Sequence, residues 1–540
     1  MTKFFGANGV STLGADLAYT ITFAVLTVLV MLPVIWLLTK YIRRPKYAET
    51  YAEKVKAYEA GQLTSGQPVK FSFTGILFAI IGISVIIRLV FAFFVTGYRG
   101  PTGDVIDNDS FNSLFSLFGV GDLAANYPAG QDAVAHYPLI TYIYSFLGLF
   151  VRAFSLTADS FAASFFVKLP MILADVGLIC LLYVAAKKYV NEYVALIVAG
   201  FAAIFPPFIF ASSVWGSVYS ILAFLIALTF YCIATKNFPG LFIAYALALY
   251  TAKDALYLFP VVAIFVIYQF IKSALYVRKN KLGSIKEMLS NSNAKNLILI
   301  PIYIVVSWLV MWLAALPLIH NYSVNPFKWM YMFFFYPLSQ VTSYGYNALN
   351  IFNLFIRNGM ELGAGFPAVF FSIMVGVIIT LLVLLVYLSR KNRANLVYLA
   401  GYCLFTLSVF FVDFGAMNLI TVLALLLLSL IFVRDRRILT LVVMLGLCVV
   451  LNASFVMMSA GYFNTLPASA FAGGIYTGDT LLFDNIGWLA ANIAVSAVTV
   501  LLYAYATLVI LDIAMSNKRK LFADITKPSF GRSLIKFIKD

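Results

Sequence analysis

Long apolar runs separated by short polar segments dominate the chain. They fall at about 18–41, 71–97, 162–186, 190–212, 216–236, 238–253, 255–277, 297–319, 366–389, 397–414, 417–433, 438–459 and 488–514. A helix needs about 20 apolar residues to cross a hydrocarbon core roughly 30 Å thick. The pattern therefore predicts an all-α polytopic membrane protein, a bundle of about 13 transmembrane helices. A membrane barrel would show alternating segments of about 10 residues, and none dominates here. The run at 18–41 has no basic region before it and no small-residue cleavage site after it. It reads as a retained span rather than a signal peptide.

Charge sets the sidedness of these runs. Lysines and arginines gather at 40–70, 187–188, 278–295, 390–393, 434–437 and 516–540. Cytoplasmic loops carry such an excess, so the N-terminus is expected outside and the C-terminus in the cytoplasm. The loop at 98–136 then lies outside, and it carries five aspartates against one arginine. The stretch "HYPLITYIYSFLGLFVRAF" at 136–154 would put Lys187 and Lys188 on the wrong side if it crossed. It is expected as a juxtamembrane or re-entrant helix in that first large outer loop, covered by protein.

The organisation that follows has four parts. Residues 1–70 form an N-terminal span and a basic cytoplasmic linker, and 71–440 a transmembrane module with outer loops 98–136 and 320–365. Residues 441–515 form C-terminal spans with outer loop 460–487, and 516–540 a basic cytoplasmic tail. The tail is suited to anionic lipid headgroups.

Composition narrows the function classes. The chain is 63% hydrophobic and 11% charged, against about 25% charged in soluble proteins. The formal charge of +15 sits in inter-span segments, which points to a lipid bilayer and to no nucleic acid. Cys180, Cys232, Cys403 and Cys448 all lie within apolar runs, as small packing residues do. With two histidines, His136 and His320, a histidine-based zinc site is not expected.

Charges within spans cost roughly 2.5–3.5 kcal/mol each on insertion scales, so each needs a reason. Arg88, Lys168, Asp175, Lys253, Asp254 and Asp413 are the informative ones. Lys168 and Asp175 share a helix face and form either a structural pair, directly or through a third group, or part of a site. The predicted sidedness brings Lys168, Lys253, Asp254, Trp215, Tyr219 and Asp413 near the outer leaflet, beside Asp104, Asp107 and Asp109. Sugar transfer from a polyprenyl-phosphate donor suits that set. The phosphate leaves as an anion that lysine or arginine stabilises, and one aspartate takes the acceptor proton. Direct displacement inverts the anomeric carbon, by the stereochemical logic of inverting glycosidases. Asp107 and Asp109 could also hold a divalent metal through oxygen ligands, or simply belong to a solvated turn.

The ordered segments "DNDSFNSLF", "GDLAANY", "HYPLITYIYSFLG", "FVKLPMILADVGLICLLY", "SSVWGSVYSILAFLIAL" and "ALALYTAKDALYLFPV" carry a family likeness. With "TSYGYNALNIFNLF" at 342–355, they resemble the GT-C superfamily of polyprenyl-phosphate-sugar glycosyltransferases, in particular bacterial relatives of the second GPI-anchor mannosyltransferase. The likeness covers about residues 80–440. It implies a GT-C-like bundle, an extracytoplasmic site and a lipid-linked sugar donor, in a bacterial cytoplasmic membrane. It also implies Asp107 as the base, with Asp109 and Asp104 as alternatives. Lys168, Trp215, Tyr219, Lys253, His136, Tyr137, Asn347, Asn350 and Arg357 become the candidate substrate-binding set.

The sequence departs from the family pattern at three places. Leu139 replaces the second proline of Y-P-P-L, and W-G-Q-x-D reads Trp215-Gly216-Ser217-Val218-Tyr219. The late M-H-E-R-Y element reads Met417-Asn418-Leu419-Ile420-Thr421, which implies a different substrate or a lost activity. Three functions follow as expectations. One is a transferase moving a mannose-like hexose to an envelope glycan, lipid or protein acceptor. The second is an inactive lipid-sugar-binding or envelope-assembly protein. The third is a lipid-linked sugar transporter or flippase, which would show repeats and discontinuous helices.

Overall fold

The computed structural model describes residues 73–94, 137–156, 161–319, 325, 327–330, 334, 348–355, 373–383, 393–412, 414–465, 471–472, 475–476 and 486–515. The chain is helical almost throughout these segments. Helices α1 (Phe73–Phe94), α2 (Pro138–Ala153), α3 (Phe161–Tyr189), α4 (Glu192–Ile204), α5 (Tyr219–Thr235) and α6 (Phe238–Leu249) form the first half. Then follow α7 (Phe259–Lys279) and α8 (Asn296–Ile319), and α9 (Ile373–Val383). Helices α10 (Arg393–Phe410), α11 (Leu419–Val433), α12 (Arg436–Thr465) and α13 (Ile486–Met515) complete the bundle. Strands, among the described residues, are confined to the antiparallel pair Phe471–Ala472 and Ile475–Tyr476.

Each of these helices falls on an apolar stretch read from the sequence. Among the described residues, 7 helices are long and apolar enough to cross a membrane, or 8 if one bent pair is a single span. The expected first span at 18–41, the linker, the outer loop 98–136 and the tail 516–540 lie outside the described residues.

The core is built around α11. Its sequence, LITVLALLLLSLIFV, is apolar on every side, which suits a helix surrounded by others. It packs on α3, α5, α10 and α12, and 89% of its span is buried in protein against 11% of the α8 span. Small residues let the helices approach: a Cβ on Gly177 of α3 would meet the Phe224 ring of α5 at 3.0 Å, a spacing that membrane helices favour. Outer faces remain apolar, as at Phe78, Ile83 and Ile86 of α1 and Val305, Val310 and Leu313 of α8. So much exposed apolar surface requires a bilayer rather than water.

Asparagine caps start two helices. Asn191 Oδ1 accepts from Val194 N at 2.8 Å, and Asn237 Oδ1 from Gly240 N at 3.2 Å. Each satisfies one of the backbone donors orphaned at a helix N-terminus. The expected span at 190–212 is not one straight helix. Phe205 takes an extended conformation, with ψ 112°, because the residue before a proline is pushed out of the helical region. The chain resumes at Pro206 with a 48° bend and tightens into a π-helical turn, Phe210–Trp215. That turn stops at Gly216, whose φ is 69°, a left-handed conformation natural to glycine.

Short turns reverse the chain between successive helices, so polar segments sort to two ends of the bundle. One end carries Lys187, Lys188, Lys236, Arg278, Lys279 and Arg434 to Arg437. There the Arg434 side chain donates to the Tyr189 carbonyl, and Arg437 pairs with Asp435 at 2.7 Å and Asp512 at 2.6 Å. The opposite end gathers the turns after α4, α6 and α10.

Candidate functional site

Two consecutive prolines organise the deepest polar cluster. In a regular helix the carbonyl of residue 203 would accept from the N–H of residue 207, but Pro207 has none. The Ala203 carbonyl instead accepts from Arg88 Nη1 at 2.8 Å, so a cation on α1 completes the broken helix. The same nitrogen donates to the Ser84 carbonyl at 3.3 Å and to the Ser84 hydroxyl. Arg88 Nε donates to Asp175 Oδ2 at 3.0 Å. Ser212 of the π-helical turn stands beside that carboxylate. Arg88 and Asp175 are both buried, where a charge is tolerable only when paired and hydrogen-bonded. The direct partner of Asp175 is thus Arg88, in an ion pair between α1 and α3, rather than Lys168 on its own helix. Seven residues along a helix are about 10.5 Å apart, too far for direct contact.

Toward the turns that follow α4 and α10, a small apolar cluster forms at the same π-helical turn. Phe210 and Val214 of the π-helical turn pack with Ala453 of α12, and Phe91, Trp215 and Met417 close around them. Trp215 ends the π-helical turn and Tyr219 begins α5, so these two candidates flank a reversal of the chain.

Lys253 and Asp254 follow α6 in a turn and open a short helix, Asp254–Tyr257. Asp254 is buried and accepts from the Asn418 side chain. Asn418 Oδ1 in turn accepts from Gly415 N at 3.0 Å. Two segments 164 positions apart are thereby joined, and the Tyr257 ring packs edge-on against Phe411 and at a tilt against Phe414 beside them. Asn418 stands where the family likeness expects histidine.

Helix α2 docks at the same end. Leu139 N donates to the Tyr250 carbonyl at 3.0 Å, and Tyr142 Oη to the Ala314 carbonyl at 2.6 Å. Tyr137 therefore begins a helix seated on the turn that leads to Lys253. Tyr144 lies against Val167 and Met171, the neighbours of the buried Lys168 on α3. From the aromatic segment "FKWMYMFFFYP", Trp329 and Phe334 pack in a core with Tyr250 and Met311. Those two rings fill the protein interior, while Phe327 is 71% exposed, as an interface anchor would be.

Asn350 lies beside the end of α10, where Ile351 N donates to the Val409 carbonyl at 3.0 Å. Its Oδ1 accepts from Asn353 N at 3.0 Å, and Asn353 Nδ2 donates to Ser496 Oγ of α13 at 2.7 Å. Asp104, Asp107, Asp109, His136, Asn347, Arg357 and Asp413 lie outside the described residues. Among the described residues there is no group of three His, Cys, Asp or Glu able to hold a metal; the expected metal ligands Asp107 and Asp109 are not among them.

The structure joins Tyr137, Trp215, Lys253 and Asp254 around one end of the bundle, with Lys168 near them. Sequence reasoning missed Asn418 and Ser212. Asn418 was legible only as a departure from a motif, and Ser212 is one of many serines in apolar runs. The fold defines a multi-pass helical membrane protein. No protein-family model matches the chain, and no curated protein matches it.

Proposed function

We propose that the protein is a GT-C-like glycosyltransferase of about 13 spans that moves a mannose-like hexose from a polyprenyl-phosphate donor to a cell-envelope acceptor. The observation that supports this most is the convergence at one bundle end of segments far apart in sequence: Tyr137-Pro138, Trp215-Gly216, Lys253-Asp254 and Met417-Asn418. Each belongs to an element of the family likeness. The positive-inside rule puts the lysine-rich end in the cytoplasm, so this end faces outside, where α2 would lie as a juxtamembrane helix. The termini then stand outside and inside respectively, in a bacterial cytoplasmic membrane.

In this scheme the acceptor oxygen attacks C1 of the sugar as the C1–O bond to phosphate breaks. The acceptor proton passes to Asp107, with Asp109 and Asp104 as alternatives, and polyprenyl phosphate departs with inversion at C1. Lys253 and Lys168 stabilise the anion that leaves. Trp215, Tyr219, Tyr137, His136, Asn347, Asn350 and Arg357 complete the substrate-binding set, and any divalent metal would sit on Asp107 and Asp109.

A second proposal, binding of a lipid-linked sugar without transfer, draws on Asn418. Its amide is occupied by Asp254 and Gly415, which leaves it less able to serve a substrate. The 48° break in the α4 segment is a feature that transporters also use. One experiment separates these proposals. Purified protein in lipid is given radiolabelled polyprenyl-phosphate mannose with envelope extracts, and release of polyprenyl phosphate is followed. Turnover lost in Asp107→Asn supports transfer, whereas donor binding without turnover in both proteins supports the binding role. Movement of intact donor across sealed vesicles would support transport.

A further inference from the structure

At the lysine-rich end, remote from the site above, a recess of about 800 Å³ opens between the α5–α6 turn, the second half of α7 and the start of α8. Lys236, Lys272, Lys279 and Lys295 line it, and no acidic side chain does among the described residues. Four cations around one cavity repel each other, and an anion between them relieves that repulsion.

The α7 wall is patterned for a ligand. Gln269, Lys272, Ser273, Tyr276 and Lys279 all line the recess, at the spacing that puts side chains on one helix face. Gln269 and Ser273 are only 6% and 3% exposed, yet no described residue hydrogen-bonds either side chain. Both line the recess without being sealed from it, so their polar groups are open to a hydrogen-bonding ligand that enters from outside. The neighbouring face of α7 exposes Ile267, Ile271 and Leu275. A polar, cationic recess therefore borders an apolar, lipid-facing stripe.

We propose that this recess binds the phosphate headgroup of an anionic phospholipid. The lysines hold the phosphate, Gln269 and Ser273 take its remaining hydrogen bonds, and the acyl chains lie along Ile267, Ile271 and Leu275. A free anion would use the cations but gain nothing from the adjoining apolar stripe, which is what favours a lipid. Basic pockets between membrane helices on the cytoplasmic side are suited to such headgroups.

The test is native mass spectrometry of the full-length protein in detergent, titrated with dioleoylphosphatidylglycerol, dioleoylphosphatidylcholine and inorganic phosphate. Phosphatidylglycerol is expected to bind saturably and phosphatidylcholine much more weakly. The double variant Lys272→Gln/Lys279→Gln is expected to raise the apparent Kd for phosphatidylglycerol about 25-fold, given the attraction of each lysine for anionic lipid. Lys187→Gln/Lys188→Gln removes the same charge elsewhere at this end and is expected to leave binding unchanged. Gln269→Leu/Ser273→Ala keeps the net charge and is expected to weaken binding several-fold. The basic tail is common to all variants, so differences between them report the recess. Equal losses in both lysine pairs would show diffuse attraction and overturn the site, as would unchanged binding in the Gln269/Ser273 variant. Inorganic phosphate binding as well as the lipid, with the same lysine dependence, would replace the lipid with a free anion.

Discussion

Arg88 of α1 donates through Nε to Asp175 of α3 at 3.0 Å, across 87 positions of sequence and fully within the bundle. A further contact, Nη1 to the Ala203 carbonyl, takes the place of a hydrogen bond that Pro207 cannot make. One guanidinium thus neutralises a buried carboxylate and mends a broken helix, tying α1, α3 and α4 together.

Removing one partner leaves a charge buried alone, which costs about 3–5 kcal/mol. Arg88→Leu and Asp175→Leu are each expected to lose stability on that scale. The double variant should recover part of the loss, but not the part that reflects the unsatisfied Ala203 carbonyl. Thermal unfolding read by a thiol-reactive dye suits this chain, because the free Cys232, Cys403 and Cys448 are buried until it opens. An unchanged midpoint in Arg88→Leu would refute the role given to this pair.

Two glycines in long helices should respond oppositely to alanine. A Cβ at Gly446 of α12 would meet the Phe205 ring at 2.5 Å, whereas nothing lies within 4 Å of one at Gly82 of α1. Gly446→Ala should cost about 1–3 kcal/mol by overpacking beside the helix break. Gly82→Ala should be neutral or stabilising by up to about 1 kcal/mol. The same unfolding assay checks both, and a Gly446 variant as stable as the parent would contradict the packing at Phe205.

The Asn418–Asp254 contact is expected to matter more than a surface hydrogen bond. Hydrogen bonds to charged groups contribute about 1.5–3 kcal/mol, and Asp254 is buried. Asn418→Leu should therefore destabilise the protein by about 2 kcal/mol or more. Asp254→Asn paired with Asn418→Asp should restore most of it by exchanging donor and acceptor. Failure of the exchange, with both single variants neutral, would remove this contact from the fold's essentials.

Within the aromatic segment, Trp329 and Phe327 should differ sharply. Trp329 is fully buried and Phe327 is 71% exposed. Trp329→Ala should cost about 3–5 kcal/mol, while Phe327→Ala should stay within about 0.5 kcal/mol in detergent. Equal effects would mean that the two rings share one environment.

The sequence alone determined where the described helices lie, apart from the break at Phe205, since charge-poor stretches of about 20 residues have one low-energy form in lipid. It also picked out Arg88, Asp175 and Asp254, because charges are rare in such stretches. Even the clustering of lysines at turns of one end was legible, from their spacing between apolar runs.

Only the tertiary structure decided which of these groups meet. Arg88 rather than Lys168 pairs with Asp175, Asn418 meets Asp254, and four lysines from three segments line one recess. Trp329 and Phe334 pack in the core with Tyr250 and Met311, which nothing in their sequence context marks. The reason lies in the solvent. In water, apolar side chains mark the face of a helix that is buried, but a span is apolar toward lipid and toward protein alike. Hydropathy separates membrane from water and leaves the facing of each helix unmarked. Side-chain shape, the double proline at 206–207 and the partners demanded by a few buried charges then settle it.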